Sequence, residues 1–146
     1  MTSTNSQKLR AIVYVSTATI DFDTPALERL LRDAREFNQK NSITGILLFN
    51  DGKFMQYFEG TEPATQETWD RIRASKRHSG LVELFDAAVD HRLFGAWEMG
   101  FARPTSSEML ELSNLKWKSM RSTSGAIYPR PDALVLLEQF WKLSQK

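Results

Sequence analysis

The stretch ITGILLFNDGKFMQYFEG, residues 43–60, decides the fold. At its centre Asn50, Asp51 and Gly52 tolerate positive φ, and an apolar run of strand length lies on each side. The chain therefore doubles back here as a tight β-hairpin. Along the returning strand, KFMQYFEG from Lys53, period-two alternation turns Phe54, Gln56 and Phe58 to one face and Met55 and Tyr57 to the other. Gln56 is thus a polar residue on an apolar face, and its amide needs partners for both its oxygen and its NH2 group once buried. Glu59, at the end of the same run, reads as an ordinary strand-end charge.

Upstream, LRAIVYVS (residues 9–16) is rich in β-branched and aromatic residues and reads as a strand. Ile12, Tyr14 and Ser16 share one face, Ala11, Val13 and Val15 the other. Both faces carry apolar members, so a sheet built on this strand is covered on both sides. Asp23 or Thr24 can cap the helix that follows, with Pro25 in its first turn and Leu27, Leu30, Leu31, Ala34 and Phe37 as its apolar stripe, ending near Asn38.

Downstream, residues 64–76 form a second amphipathic helix with Trp69 and Ile72 inward. LVELFDAAV from Leu81 is a fourth strand. WEMGFA from Trp97 is a fifth, with Trp97, Met99 and Phe101 on one side. The order β-α-β-β-α-β makes this an α+β chain with a ferredoxin-like core and one added strand. Two further helices follow, one capped by Thr105 or Ser106 and carrying Met109, Leu110, Leu112 and Leu115, the other opened by Pro131 and carrying Leu134, Leu137, Phe140 and Trp141. The loop 119–130 joins them. They suit the sheet face bearing Val13 and Val15, or a partner subunit.

The 146 residues match one domain, and 41% hydrophobic content suffices for a core. The chain divides into a flexible tail at 1–8, a core unit at 9–103 and a helical extension at 104–146 for sheet capping, oligomerisation or partner contact. Without cysteine there is no disulfide, no Cys-held iron-sulfur cluster and no thiol nucleophile. The tail lacks the apolar run of a secretory signal and no stretch is long enough to span a membrane, so a cytoplasmic location is expected. A net charge of +1 provides no broad field for polyanions. The two basic clusters, Arg71, Arg73, Lys76, Arg77 and His78, and Lys116, Lys118, Arg121 and Arg130, read as solvated faces.

No Gly-rich phosphate loop, nucleophile elbow or metal-ligand spacing is present, and His78 and His91 read as structural or surface residues. Tyr14, Gln56 and Asn38 are the polar residues that do converge. The first two lie on strands adjacent in the ferredoxin-like order, and Asn38 closes the helix above them. From periodicity alone they form a buried tyrosine satisfied by a glutamine, with a helix-terminal asparagine beside it.

A set of short motifs adds to this: VYVS with Tyr14, ARxxN from Ala34 to Asn38, ITGILLF from Ile43, GKFMQYFEG ending at Gly60, Arg71-Ile72, Arg77-His78 and WEMGF from Trp97. In this order and spacing, from about Leu9 to Phe101, the chain resembles the BLUF family of blue-light sensors that use flavin adenine dinucleotide (FAD). FMN and riboflavin, which share the ring, are the alternatives. The resemblance implies a non-enzymatic photoreceptor with the flavin between the first two helices. Tyr14 is then the redox-active tyrosine, Gln56 the glutamine between it and the flavin, and Asn38 a partner of the ring's carbonyl edge. Arg71, Arg77 and His78, on the family's second-helix segment, come beside the cofactor.

The resemblance also implies that light moves an electron and a proton from Tyr14 and rearranges Gln56, and that Trp97 and Met99 relay the change. Phe37 and Ser75 depart from the family, removing a polar flavin contact and a charge that could hold a nearby arginine. The resemblance further implies a homo-oligomer and a separate, unidentified signalling partner, with no membrane and no nucleic acid. The competing readings are a light-insensitive ferredoxin-like scaffold, an RNA-binding module using Tyr14 or Phe54 as stacking platforms, and a small acylphosphatase-like hydrolase.

Overall fold

Asp51 and Gly52 both take positive φ, 45° and 77°, which closes the central hairpin in the way its turn residues require. A computed structural model describes residues 8–115, 117 and 132–145. Most of the tail, the loop 119–130, Pro131, and Lys116, Lys118, Arg121 and Arg130 lie outside the described residues. The elements are β1 (Leu9–Ala18), α1 (Thr24–Asn41), β2 (Thr44–Asn50), β3 (Lys53–Thr61), α2 (Glu62–Ala74), β4 (His78–Val89), β5 (Gly100–Ala102), α3 (Ser106–Ser113) and α4 (Asp132–Ser144). The strands form one mixed sheet in the order β4-β1-β3-β2-β5, the ferredoxin-like order with β5 added in parallel beside β2.

Local chemistry sets the helix ends. Asp23, rather than Thr24, caps α1, its side chain accepting from the Ala26 amide at 2.9 Å. α1 runs to Asn41, one turn beyond the expected end, and stops where Ser42 turns left-handed and returns its N–H to the Asn38 carbonyl. Thr105 and Glu108 form a reciprocal capping box that starts α3.

Two strand assignments differ from the sequence reading. β4 begins at His78, not Leu81, because residues 78 and 79 already pair with Ala18 and Thr17 of β1. β5 begins at Gly100, not Trp97. Residues before it turn, with Trp97 N–H donating to the Phe94 carbonyl, and only three residues pair with β2. A side chain at Gly100 would meet the Trp141 ring at 2.5 Å, so the strand's start needs glycine for close approach to α4.

The two sheet faces are covered differently. On one, Ala11, Val13, Ile46, Leu48, Met55 and Tyr57 pack in a single cluster under Met109, Leu112, Leu134, Leu137 and Trp141 of α3 and α4. On the other, α1 seats Leu27 and Leu31 on Leu47, Phe49 and Phe54, while Trp69 of α2 joins Ile12, Ile43 and Phe58. Three layers result, with a gap between the two seats of the second face. Both faces are covered, leaving Tyr14 and Phe54 each 4% exposed and no open platform for stacking RNA bases. No helix among the described residues is long and apolar enough to cross a membrane.

A chain ending at Arg103 loses the cover that α3, Trp117 and α4 give the first face. It is expected to lose its cooperative thermal transition, because removal of Met109, Leu112, Trp117, Leu134, Leu137 and Trp141 exposes that sheet face. A truncated chain melting cooperatively within a few degrees of the full one would contradict this packing.

Candidate functional site

The gap between α1 and α2 is a cavity of about 380 Å³, walled by Leu30, Ala34, Leu47, Phe54 and Ile72 and reaching Tyr14, Asn38, Gln56 and Met99. That volume is in the range of small-molecule sites, and the pattern of apolar walls with few convergent polar groups is the usual one. Tyr14 and Gln56 sit directly opposite each other on β1 and β3. Antiparallel register places such pairs in contact. The Tyr14 hydroxyl donates to Gln56 Oε1 at 2.5 Å, and Gln56 Nε2 reaches Met99 Sδ at 3.7 Å. Gln56 is 7% exposed, and its amide has a strong partner on the oxygen and a weak acceptor on the NH2 group.

Asn38, in the last turns of α1, donates through Nδ2 to the Glu98 carbonyl at 2.5 Å, and Arg35 Nε donates to the Met99 carbonyl at 3.0 Å. α1 thereby holds the chain just before β5. His78 lines the cavity behind Tyr14. Its Nε2 donates to the Ile72 carbonyl at 2.9 Å, since a carbonyl can only accept, and its Nδ1 lies 2.8 Å from Ser16 Oγ.

Arginines mark the mouth. Arg71, on α2, stacks over the Phe37 ring at 4.4 Å, and Arg77 donates to Asp33 of α1 at 3.2 Å. Both Arg77 and Asp33 are nearly half exposed, so this bridge is a weak closure, worth under about 1 kcal/mol.

Seven of the eight expected site residues line the cavity: Tyr14, Asn38, Gln56, Arg71, Arg77, His78 and Met99. Of the three basic residues only Arg71 is on α2. Arg77 lies in the bend after it and His78 opens β4, because α2 ends at Ala74. The eighth, Trp97, does not share a side with Met99 and Phe101. It is 39% exposed and packs edge-on against Trp141 of α4 at 5.2 Å, on the opposite face. The turn before β5 breaks the alternation on which that expectation rested.

Sequence reasoning missed Asp33 and Thr68 in the lining, which also includes Ser75. Asp33 stands three residues after Leu30 on α1, a helical spacing that points to the same face. Ser75 does not leave Arg77 without an acidic partner, since Asp33 supplies one across the gap. Phe37 replaces a polar contact with a platform for the Arg71 guanidinium.

Burial raises the Tyr14 phenol well above its ordinary value of 10.0. A raised phenol pKa leaves the folded state protonated after the unfolded chain has ionised. The Tyr14 contribution to stability is therefore complete below pH 10 and lost as pH rises above it. The stability of the wild type relative to Tyr14→Phe should fall by about 1.4 kcal/mol between pH 9 and pH 11. Urea unfolding at both pH values measures it, and an unchanged difference would mean that Tyr14 ionises in the folded protein.

Residues 9–100 match the family described as BLUF, sensors of blue-light using FAD. Photoactivated adenylate cyclase subunit alpha of Euglena gracilis is 34% identical over 89 residues, 61% of this chain but 9% of that protein. The blue light- and temperature-regulated antirepressor BluF of Escherichia coli K12 is 32% identical over 87 residues, 60% of this chain and 22% of its own length. The matched part is thus a small share of these relatives. Among solved structures, BlrB, a BLUF protein in its dark state, superimposes with a TM-score of 0.64 at 27% identity, covering 74% of this chain and 80% of that one.

Proposed function

This chain belongs to the BLUF family of blue-light sensors using FAD, and we propose that it works as a photoreceptor in which Tyr14 and Gln56 convert light absorption into a rearranged hydrogen-bond network. The BLUF domain is a sensor domain rather than an enzyme, and no residue here is assigned a catalytic role. The observation that carries the mechanism is the Tyr14 to Gln56 hydrogen bond at the floor of the cavity, with the other side of the same amide on Met99.

The residues present fit a flavin. An apolar slot between two helices suits a flat aromatic ring, its inner end offers the amides of Gln56 and Asn38, and its mouth carries Arg71 and Arg77 for a phosphate edge. At about 380 Å³ the slot takes the ring system rather than a whole dinucleotide, which leaves the remainder of FAD to the mouth. Bound FAD supplies the blue-light absorption and an excited state able to accept an electron.

The side chains do the rest. In the dark, burial keeps Tyr14 neutral and a hydrogen-bond donor. A phenol that loses an electron becomes a strong acid, and Gln56 Oε1, 2.5 Å away, is placed to receive its proton. Among the described residues the Nε2 side of Gln56 meets a thioether, a weak acceptor, so little opposes the amide's turning or changing tautomer. Either change exchanges donor and acceptor faces, and both the flavin edge and Met99 then meet a different partner. No bond to substrate is made or broken, and return of both the electron and the proton to Tyr14 leaves no net oxidation.

We assign residues 9–103 to the flavin-binding unit and 104–146 to the extension that passes the signal on by protein contacts, either to a second copy of the chain or to a separate partner. Exposed apolar side chains on that extension, Leu110, Val135, Leu136 and Leu143, are consistent with such contacts.

Tyr14→Phe and Gln56→Leu should each retain bound flavin yet show no stable red-shifted state after a blue pulse, because one removes the proton donor and the other the group that rearranges. A wild-type light-minus-dark spectrum from either variant would remove that residue from the mechanism.

A further inference from the structure

Glu59 is wholly buried, 0% exposed, on the sheet face opposite the cavity. A buried carboxylate is costly unless its oxygens are fully hydrogen-bonded, and four donors converge on this one. Oε1 accepts from the Tyr57 hydroxyl at 2.8 Å and the Leu93 amide at 2.7 Å, and Oε2 from the Thr44 hydroxyl and the Phe94 amide, both at 2.8 Å. Arg92 braces the cluster, donating to Thr44 Oγ1 at 2.9 Å and to the Glu59 carbonyl at 3.4 Å.

Two of those four donors are backbone amides of residues 93 and 94, in the irregular segment between β4 and β5. The far end of that segment is held from the cavity side, Glu98 by Asn38, and Met99 by Arg35 and Gln56. Between the two ends, the Gly45 amide donates to the Trp97 carbonyl at 2.9 Å. One short stretch of chain is therefore pinned at one end by a carboxylate and at the other by Arg35 and by two residues that line the cavity, Asn38 and Gln56.

We infer that Glu59 is a positioning residue of the photocycle, whose carboxylate fixes the resting place of residues 93–99 and so sets how fast the light-induced state returns to the dark one. This rests on the sensor reading above. Movement of Gln56 acts on the Met99 end, and the carboxylate supplies the fixed point against which that end returns.

Glu59→Gln keeps the side chain's size but turns an NH2 group toward a backbone N–H, so at least one hydrogen bond of the resting arrangement is lost. One such bond corresponds to a factor of about 5. The holoprotein variant should bind flavin and show a red shift, recover in darkness about fivefold more slowly or slower still, and exchange the amides of residues 93–99 faster while those of β1 and β3 stay protected. Thr44→Val, which removes one donor to the carboxylate, should act in the same direction more weakly, and it decides the matter if Glu59→Gln does not fold. Arg10→Met, which breaks a bridge to Asp86 away from this segment, should lower stability without changing recovery. Recovery at the wild-type rate in a folded variant, or slowing by Arg10→Met to the same degree, would reduce Glu59 to a core residue. A wild type with no red shift would instead overturn the sensor reading, and the exchange of residues 93–99 in the dark would still show whether the carboxylate holds them.

Discussion

A buried phenol and a buried amide on a largely apolar sheet face need polar partners, and the Tyr14 to Gln56 hydrogen bond supplies one to each. Cross-strand register between β1 and β3 puts the two groups opposite one another. The helices then arrange themselves around the pair rather than over it. α1 seats on the cluster of Leu47, Phe49 and Phe54, α2 on that of Ile12, Ile43 and Phe58, and the polar pair is left as the floor of the space between. With α3 and α4 closing the opposite face in one continuous core, the site is the soft place in a sheet that is otherwise packed on both sides.

β3 carries a second polar insertion three residues beyond the first. Gln56 points into the cavity and Glu59 into the opposite layer, yet both reach the same stretch of chain before β5. That stretch also divides its own side chains between the layers, Met99 to the cavity and Trp97 to Trp141 of α4. Residues 97 to 99 thus form a short covalent link between the cavity side of the sheet and the helical extension.

Much of this was legible in the residues. Turn chemistry at Asn50-Asp51-Gly52, two amphipathic helices and strict alternation along β1 and β3 suffice to give the strand order and the facing of Tyr14 and Gln56. Alternation fails where pairing fails. At Trp97 the backbone is still turning, so counting back from Phe101 puts the indole on the wrong side. The start of β4 was hidden because residues 78 and 79 look polar and are held by pairing with β1 rather than by apolar burial. Glu59 was misread because its partners at 93 and 94 come from a segment distant in sequence, and a strand-end carboxylate gives no sign of amides that only the folded chain brings to it. The Asp33 to Arg77 closure depends in the same way on two elements meeting across a gap.

The most direct measurement is the visible absorption spectrum of the purified, FAD-loaded protein before and after a blue pulse, followed through darkness. A red shift that appears with light and decays fully in the dark is the result expected of a cavity floored by Tyr14 and Gln56. Bound flavin whose spectrum does not move with light, or a folded protein that takes up no flavin, would contradict it.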